Sequence, residues 1–129
     1  MAIHSTAITT DLAPIPNGHY SQAQLCGNTL FLSVQLPINP ESPGTEDMGD
    51  PVGQSLQVLK NLENIVKEAG GSRNSIMRLT FYVTDIAHWG AVNDACRQFF
   101  DAHKPARGIV CVQALHKGYL VASDAIACV

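Results

Sequence analysis

The hydrophobic pattern changes its period partway along the chain, and this change most constrains the fold. Between residues 51 and 69, apolar side chains recur at three- and four-residue spacing, which is typical of an amphipathic helix. They are Leu56, Leu59, Leu62, Val66 and Ala69. From residue 77 to residue 84, apolar and polar side chains alternate instead, with Met77, Leu79, Phe81 and Val83 apolar. The alternation is typical of a half-buried strand, so the two patterns together predict a helix packed on a sheet.

The ends of this helix are marked by residues with known positional preferences. Asp50 is a good N-cap, and Pro51 suits the first helical position, where a missing N–H costs nothing. Gly70 and Gly71 end the helix, because glycine accepts the left-handed conformation of a C-cap. A loop-like stretch over residues 37–50 precedes the helix and contains three prolines and two glycines.

The remaining elements follow from turn and breaker residues. Residues 21–26 and 29–36 are predicted to form a hairpin through Gly27-Asn28. Asp85 is expected to cap a second helix with the apolar residues Trp89, Val92, Cys96 and Phe99, and this helix ends before Lys104-Pro105. Two strands over residues 107–114 and 119–128 follow, joined by a turn at Lys117-Gly118.

The resulting order is β-β-α-β-α-β-β, with a mixed sheet whose one face is covered by the two helices. The other face still carries leucine, valine and isoleucine side chains, so we expect it to pack on another subunit. Trp89 and Tyr82 are interpreted as core or interface aromatics.

Length and charge exclude several classes of protein. The 129 residues suit one domain spanning residues 1–129. Eight Lys and Arg against eleven Asp and Glu give a net charge of −3, which argues against a nucleic-acid partner because such a partner needs many phosphate-neutralising cations. No apolar run is long enough for a membrane span, and residues 1–6 carry no secretion signal. The cytoplasm or an organelle matrix is therefore the default, and we expect the cytoplasm.

The cysteines and histidines show no spacing typical of a metal site. The four cysteines contain no C-x-x-C pair, and we expect them to be buried, reduced thiols. No H-x-x-x-H or H-E-x-x-H pattern occurs among the five histidines, and neither a dinucleotide-binding nor a P-loop motif is present. We therefore expect no metal and no organic cofactor.

Arg107 is the one residue whose position points to chemistry. It follows Pro105-Ala106 and is the first residue of an apolar strand. Burying an arginine there costs desolvation free energy unless its guanidinium binds an anion. Two interpretations are open: a structural salt bridge, or a bidentate clamp for a substrate carboxylate.

Short blocks of sequence occur in a characteristic order along nearly the whole chain. They are residues 14–23, 31–37, 54–70, 80–85, 92–100, 105–107 and 124–127. Together they resemble the RidA family, also called YjgF/YER057c/UK114. The resemblance implies a chorismate-mutase-like α+β fold, assembled as a homotrimer with a central barrel and a ligand cleft at each subunit interface.

The resemblance also implies an activity and a set of site residues. RidA-type members hydrolyse reactive 2-imino acids to 2-keto acids and ammonia without a cofactor. In that scheme Arg107 binds the substrate carboxylate, and the backbone N–H of Ile109 makes a second contact with it. The other positions matched to the cleft are Tyr20, Ser33, Val34, Trp89, Asn93 and Ala122.

Three of these positions depart from the family pattern. Val34 replaces a glycine and narrows the cleft, and Ile109 replaces a cysteine. Ala122 stands where the family has the glutamate that holds the attacking water, and alanine cannot accept a proton. Asp124 lies on the same strand face but is displaced by roughly 6–7 Å. It also falls in a block where the family itself carries an acid, which argues against a replacement role. Two interpretations of His19, beside Tyr20, are open: a group for proton transfer at neutral pH, or an ordinary histidine of a surface loop.

Several functions therefore remain open. The leading hypothesis is a RidA-like deaminase acting on an imine or enamine that bears a carboxylate. A related alternative has a larger carboxylated enamine, of the 2-aminomuconate type, as substrate. The loss of the glutamate at Ala122 suggests a second class, a non-catalytic trimer that binds small carboxylates. Ribonuclease activity, also attached to the family's name, is disfavoured by the net charge of −3.

Overall fold

The computed structural model describes residues 3–129; Met1 and Ala2, which open the segment expected to carry no secretion signal, lie outside the described residues. The fold is one six-stranded mixed sheet with two α-helices, so the predicted α+β class is confirmed. The elements are β1 (Thr6–Ile8), β2 (Ala23–Cys26), β3 (Thr29–Gln35), α1 (Pro51–Glu68), β4 (Ile76–Val83), α2 (Trp89–Phe100), β5 (Ala106–Cys111) and β6 (Val121–Cys128). The short strand β1 was not predicted.

Helix α1 has the predicted ends and the predicted buried stripe. The Asp50 carboxylate accepts a hydrogen bond from the Gly53 N–H at 3.0 Å, and Gly70 takes a φ of 96° directly after the helix. The fully buried apolar side chains of the helix are Val58, Leu59, Leu62, Ile65 and Val66, of which Val58 and Ile65 were not in the predicted stripe. Leu56 and Ala69, at the edges of the predicted stripe, are half-buried against this core.

The strands are arranged in the order β1-β2-β3-β6-β4-β5. The predicted hairpin is present, since β2 and β3 pair antiparallel across Gly27, whose φ is 62°. All adjacent strands are antiparallel except β4 and β5, which pair in parallel and are connected through α2. As a result, β5 is an edge strand with one side free of any described strand.

The predicted alternation of buried and exposed side chains is wrong at the start of β4. Met77 was expected in the core but is 40% exposed, whereas Ile76 is fully buried. The register between β4 and β6 shifts between Ile76 and Arg78, and such an irregularity reverses which side chains face the core. Beyond the shift, Leu79, Phe81 and Val83 are buried as predicted.

The second helix and the last two strands differ from the prediction at their ends. Asp85 caps a short 3-10 helix, Ile86–His88, and α2 begins only at Trp89. Trp89 was assigned to the apolar stripe but is 47% exposed at this first position. β5 ends at Cys111 rather than at residue 114, and β6 begins at Val121 rather than at residue 119. A 3-10 helix, His116–Gly118, provides the predicted turn between them.

Both helices pack on one face of the sheet, and the opposite face is apolar and open. Phe31 pairs with Ile126 across β3 and β6, and Val110 pairs with Tyr82 across β5 and β4. The side chains of Phe31, Val110 and Ile126 are all substantially exposed. The open sheet face, defined by these three residues, carries the expected valine and isoleucine, with a phenylalanine beside them.

The cysteines are unpaired but are not all buried. All four are free thiols; Cys26 and Cys96 are half-buried, while Cys111 and Cys128 are exposed. The expectation of burial is therefore wrong for the last two: Cys128 shares a sheet face with the exposed Ile126, and Cys111 is the last residue of the edge strand β5. Within residues 3–129, no helix is long and apolar enough to cross a membrane.

A buried glutamine holds the N-terminal loop against the sheet. The Gln22 side chain is almost fully buried, accepts a hydrogen bond from the Thr10 N–H at 2.7 Å and donates to the Thr10 and Pro14 carbonyls at 3.0 Å. The loop that these bonds anchor leads directly to Tyr20. An amide can satisfy buried donors and acceptors at once, which no apolar side chain of this size can do.

Replacing this amide is expected to destabilise the fold. In Gln22→Leu, the buried groups of Thr10 and Pro14 lose their partners, so we expect the free energy of unfolding to fall by about 2–3 kcal/mol. Urea denaturation at fixed protein concentration measures this loss. The control is Gln24→Leu, because Gln24 is half-buried and its side chain donates only to Ser21 Oγ. Equal losses in the two variants would contradict the proposed anchoring.

Candidate functional site

The second half of α2 and the start of β5 enclose a cavity of about 480 Å³. The α2 side chains that line this α2/β5 cavity are Asn93, Cys96, Arg97 and Phe100. Their spacing of i, i+3, i+4 and i+7 places them on one side of the helix. Arg107 lines the cavity from β5. The cavity thus lies at the free edge of the sheet, beside the one strand pair that is parallel.

Arg107 is held in place by neutral groups. Its Nη2 donates a hydrogen bond to Asn93 Oδ1 at 3.1 Å. Its guanidinium carbon lies 5.5 Å from the centre of the Trp89 ring, within the range of a cation–π contact. Half-buried and so oriented, the guanidinium keeps donors available for an anion.

Arg107 does not form the structural salt bridge that was its alternative interpretation, within the described residues. The ion pairs among residues 3–129 join Glu63 to Lys67 and Arg73, and Asp94 to Arg97. No carboxylate among these residues lies within 4.0 Å of Arg107. Its positive charge is therefore uncompensated by the described part of the chain and faces the cavity.

Cys96 is a cavity residue that the sequence reasoning did not single out. Burial raises the pKa of its thiol, and the neighbouring Arg107 guanidinium pulls that pKa in the opposite direction. Its position three residues after Asn93 on α2 was the available signal, because that spacing puts both side chains on one helix face.

The backbone of β5 offers a second donor beside Arg107. The Val112 N–H donates to the Val83 carbonyl of β4 at 2.8 Å. Backbone donors along a strand alternate between its two edges, so the N–H of Ile109 points to the free edge. The Ile109 side chain packs against the core. An anion at this edge can therefore accept hydrogen bonds from both the Arg107 guanidinium and the Ile109 N–H.

Tyr20, Ser33 and Val34 lie together at a different place. They line a second cavity of about 730 Å³, the β3 cavity, together with His116 and Asp124. The Tyr20 hydroxyl donates to Asn17 Oδ1 at 3.0 Å, and Ser33 Oγ donates to the Ser21 carbonyl at 2.6 Å. The adjacent His19 is an exposed loop residue.

Ala122 is fully buried and lies apart from Arg107. It pairs with Tyr82 of β4, whereas Arg107 pairs with Leu79, three residues earlier on the same strand. An odd separation along a strand places the two side chains on opposite faces of the sheet. Within one chain, a side chain at position 122 therefore does not reach the α2/β5 cavity.

Asp124, the nearest acid on that strand, already has a partner. Its Oδ2 accepts a hydrogen bond from the Tyr82 hydroxyl at 3.2 Å. Burial and the negative charge of Asp124 both raise the pKa of Tyr82. Asp124 and Tyr82 thus form a pair on the sheet face opposite Arg107.

The predicted site residues consequently fall into two groups. Arg107, Asn93 and Trp89 are in contact at the α2/β5 edge, and Tyr20, Ser33 and Val34 line the β3 cavity. The two cavities share no lining residue. One group can bind an anion, and the other offers hydroxyl groups and an apolar wall.

Comparison with known proteins gives a consistent family. The family model described as Endoribonuclease L-PSP matches residues 10–129. The 2-iminobutanoate/2-iminopropanoate deaminase of Capra hircus is 39% identical over 120 residues, covering 93% of this chain and 87% of that protein. Among solved structures, a Rid family protein of unknown function from Yersinia pestis superimposes with a TM-score of 0.92 at 37% identity, covering 98% of this chain and all (100%) of that one.

A further solved structure contains a small molecule. E. coli TdcF with bound serine superimposes with a TM-score of 0.90 at 32% identity, covering 96% of this chain and 98% of that one. The family match spans nearly the whole chain, and its order of elements agrees with the fold described above. The chain therefore belongs to the RidA (YjgF/YER057c/UK114) family.

Proposed function

We propose that this protein is a deaminase that hydrolyses 2-imino acids to 2-keto acids and ammonia without a cofactor. The observation that carries the proposal is the Arg107 guanidinium, which is oriented by Asn93 and faces a cavity with no carboxylate partner among the described residues. A 2-imino acid presents the carboxylate that such a group binds in a bidentate manner.

The reaction asks for positioning more than for strong acid–base catalysis. Water adds to the carbon of the C=N bond, that bond breaks, and the nitrogen leaves as ammonia with the protons of the water. A protonated imine is already electrophilic, so holding its carboxylate and a water in place supplies much of the rate. Arg107 and the Ile109 N–H would hold the carboxylate, and Tyr20 would contact the reacting end.

The relatives support this substrate class. The Capra hircus relative is named for deamination of 2-iminobutanoate and 2-iminopropanoate, and the E. coli structure holds serine, a small α-amino acid. Both ligands carry a carboxylate next to the carbon that bears nitrogen. Arg107 is the residue of this chain best placed to bind that carboxylate.

We propose further that the site is completed in a homotrimer. Arg107 and Tyr20 line separate cavities in one chain, so a site that uses both needs two copies. The open sheet face, with Phe31, Val110 and Ile126 exposed, is the kind of apolar surface that a subunit contact covers. Free thiols at all four cysteines fit a reducing compartment, so we place the trimer in the cytoplasm.

The carboxylate clamp is tested by substitution at Arg107 and at its partner. With 2-iminobutanoate generated by a threonine dehydratase, we expect the wild-type protein to accelerate loss of the imine. Arg107→Ala should lower kcat/KM about 100-fold, because two charge-assisted hydrogen bonds are lost. Asn93→Asp should be similarly impaired, since a carboxylate there would pair with Arg107 and displace the substrate.

The control is Lys60→Ala, which removes a positive charge from an exposed position on α1 and should leave the rate unchanged. Semicarbazide trapping measures the remaining imine in every case. If the wild type does not accelerate imine loss, the deaminase proposal is wrong; if Arg107→Ala accelerates it as much as the wild type does, the role of Arg107 is wrong.

The composite site is tested by mixing inactive chains. Arg107→Ala and Tyr20→Ala are each expected to form inactive trimers. If Arg107 of one copy and Tyr20 of the next share a site, hybrid trimers purified through two different tags regain part of the activity, because some of their sites contain both native residues. Hybrids that stay as inactive as their parents would place both residues in the same chain's site.

A second function is favoured by one specific observation at position 122. Ala122 has no group that can hold or deprotonate a water, and the neighbouring Asp124 is engaged by the Tyr82 hydroxyl. These features support a trimer that binds small carboxylates through Arg107 without turning them over. The two functions share the clamp and differ only in whether water is activated.

Binding without turnover has a direct test. In this case titration calorimetry should detect saturable binding of 2-oxobutanoate by the wild type, while imine loss stays at the background rate. Ala122→Glu should then gain deaminase activity, whereas Ala122→Gln, of equal size but unable to take a proton, should not. Circular dichroism checks that both variants fold. Wild-type imine hydrolysis that disappears in Arg107→Ala would exclude this second function.

A further inference from the structure

The wall of the α2/β5 cavity carries more positive charge than one substrate carboxylate requires. Besides Arg107, the cations Arg97 and Lys104 line it, and Asp101 is its one acidic residue within the described chain. The cavity wall is therefore net positive in a chain whose formal net charge is −3. A concave site with a charge opposite to that of the whole protein attracts anions selectively.

The two additional cations are available to a ligand. Lys104 is exposed and has no carboxylate within 4.0 Å among residues 3–129. Arg97 contacts Asp94 Oδ1 at 3.2 Å, but the two side chains are 72% and 58% exposed. An ion pair that is so exposed contributes little, so Arg97 can exchange this partner for a ligand anion.

The arrangement separates these cations from Arg107. Arg97 lies one helical turn after Asn93, the residue that orients Arg107, and one turn rises about 5.4 Å. Lys104 lies on the segment between α2 and β5. A ligand whose first carboxylate binds Arg107 can thus extend along α2 and place a second anionic group between Arg97 and Lys104.

The rest of the lining fits the connecting part of such a ligand. Leu79, Phe100 and Pro105 provide apolar wall. His103 also lines the cavity, but its Nε2 lies 2.7 Å from the Ile76 carbonyl and is therefore occupied. Apolar contact in the middle with cations at both ends matches a short dicarboxylate.

We propose that the cavity contains a second anion subsite, formed by Arg97 and Lys104, and that the protein prefers 2-imino or 2-keto dicarboxylates over monocarboxylates of equal length. The proposal rests on the proposed function for the role of Arg107, and it adds the substrate class. Hydrolysis of such an imine consumes one water and releases one ammonia, as for a monocarboxylate.

The test compares two stable keto acids with the same five-carbon chain. By titration calorimetry, 2-oxoglutarate should bind the wild type at least about fivefold more tightly than 2-oxopentanoate, which lacks the second carboxylate. Lys104→Gln and Arg97→Gln should each weaken 2-oxoglutarate about threefold and change 2-oxopentanoate by less than about 1.5-fold. Arg107→Ala should weaken both ligands, and Lys60→Gln should affect neither.

The outcomes separate the subsite from the proposed function. Equal affinity for the two keto acids, or equal effects of Lys104→Gln on both, overturns the dicarboxylate preference and leaves the Arg107 clamp intact. Absence of binding for both ligands in the wild type overturns the clamp and the subsite together. Imine hydrolysis gives an independent reading: imines made from glutamate and from 2-aminopentanoate by amino acid oxidases should differ in kcat/KM in the same direction.

Discussion

The interaction on which the site depends is the hydrogen bond from Arg107 to the neutral amide of Asn93. Arg73 shows the common arrangement for an arginine with a buried contact, because its guanidinium forms an ion pair with the buried Glu63 carboxylate. A half-buried guanidinium without a carboxylate partner has lost part of its hydration, and no opposite charge offsets that loss. Asn93 orients Arg107 but leaves its charge intact, so an anion from outside the described chain gains the full electrostatic benefit.

This arrangement depends on the one parallel strand pair. A parallel connection needs a crossover element, and α2 fills that role between β4 and β5. The crossover places one face of α2 beside the start of β5, and it leaves β5 at the edge of the sheet. The same constraint therefore brings Asn93 to Arg107, exposes the Ile109 N–H and creates the cavity whose wall includes Arg97 and Lys104.

Elements with local signals were predictable from the sequence, and features set by pairing partners were not. The ends of α1 follow from Asp50, Pro51 and Gly70, which act on their own neighbours. In contrast, Ile76 rather than the predicted Met77 lies in the core because of a register shift against β6, a strand about 50 residues away. Likewise, Arg107 was identified from its position and from family resemblance, but its contact with Asn93, 14 residues away, required the fold.

The separation of the two sheet faces explains how binding and catalysis can diverge in this chain. Position 122 lies on the sheet face opposite Arg107. Its β4 partner, Tyr82, is three residues after Leu79, the β4 partner of Arg107. A change at that position therefore leaves the α2/β5 cavity unaltered within its own chain. Because Asn93, Trp89 and Cys96 contact Arg107 within the chain, the orientation of its guanidinium does not depend on the residue at position 122. In the proposed function, position 122 therefore affects only water activation, while Arg97 and Lys104 affect which carboxylates bind.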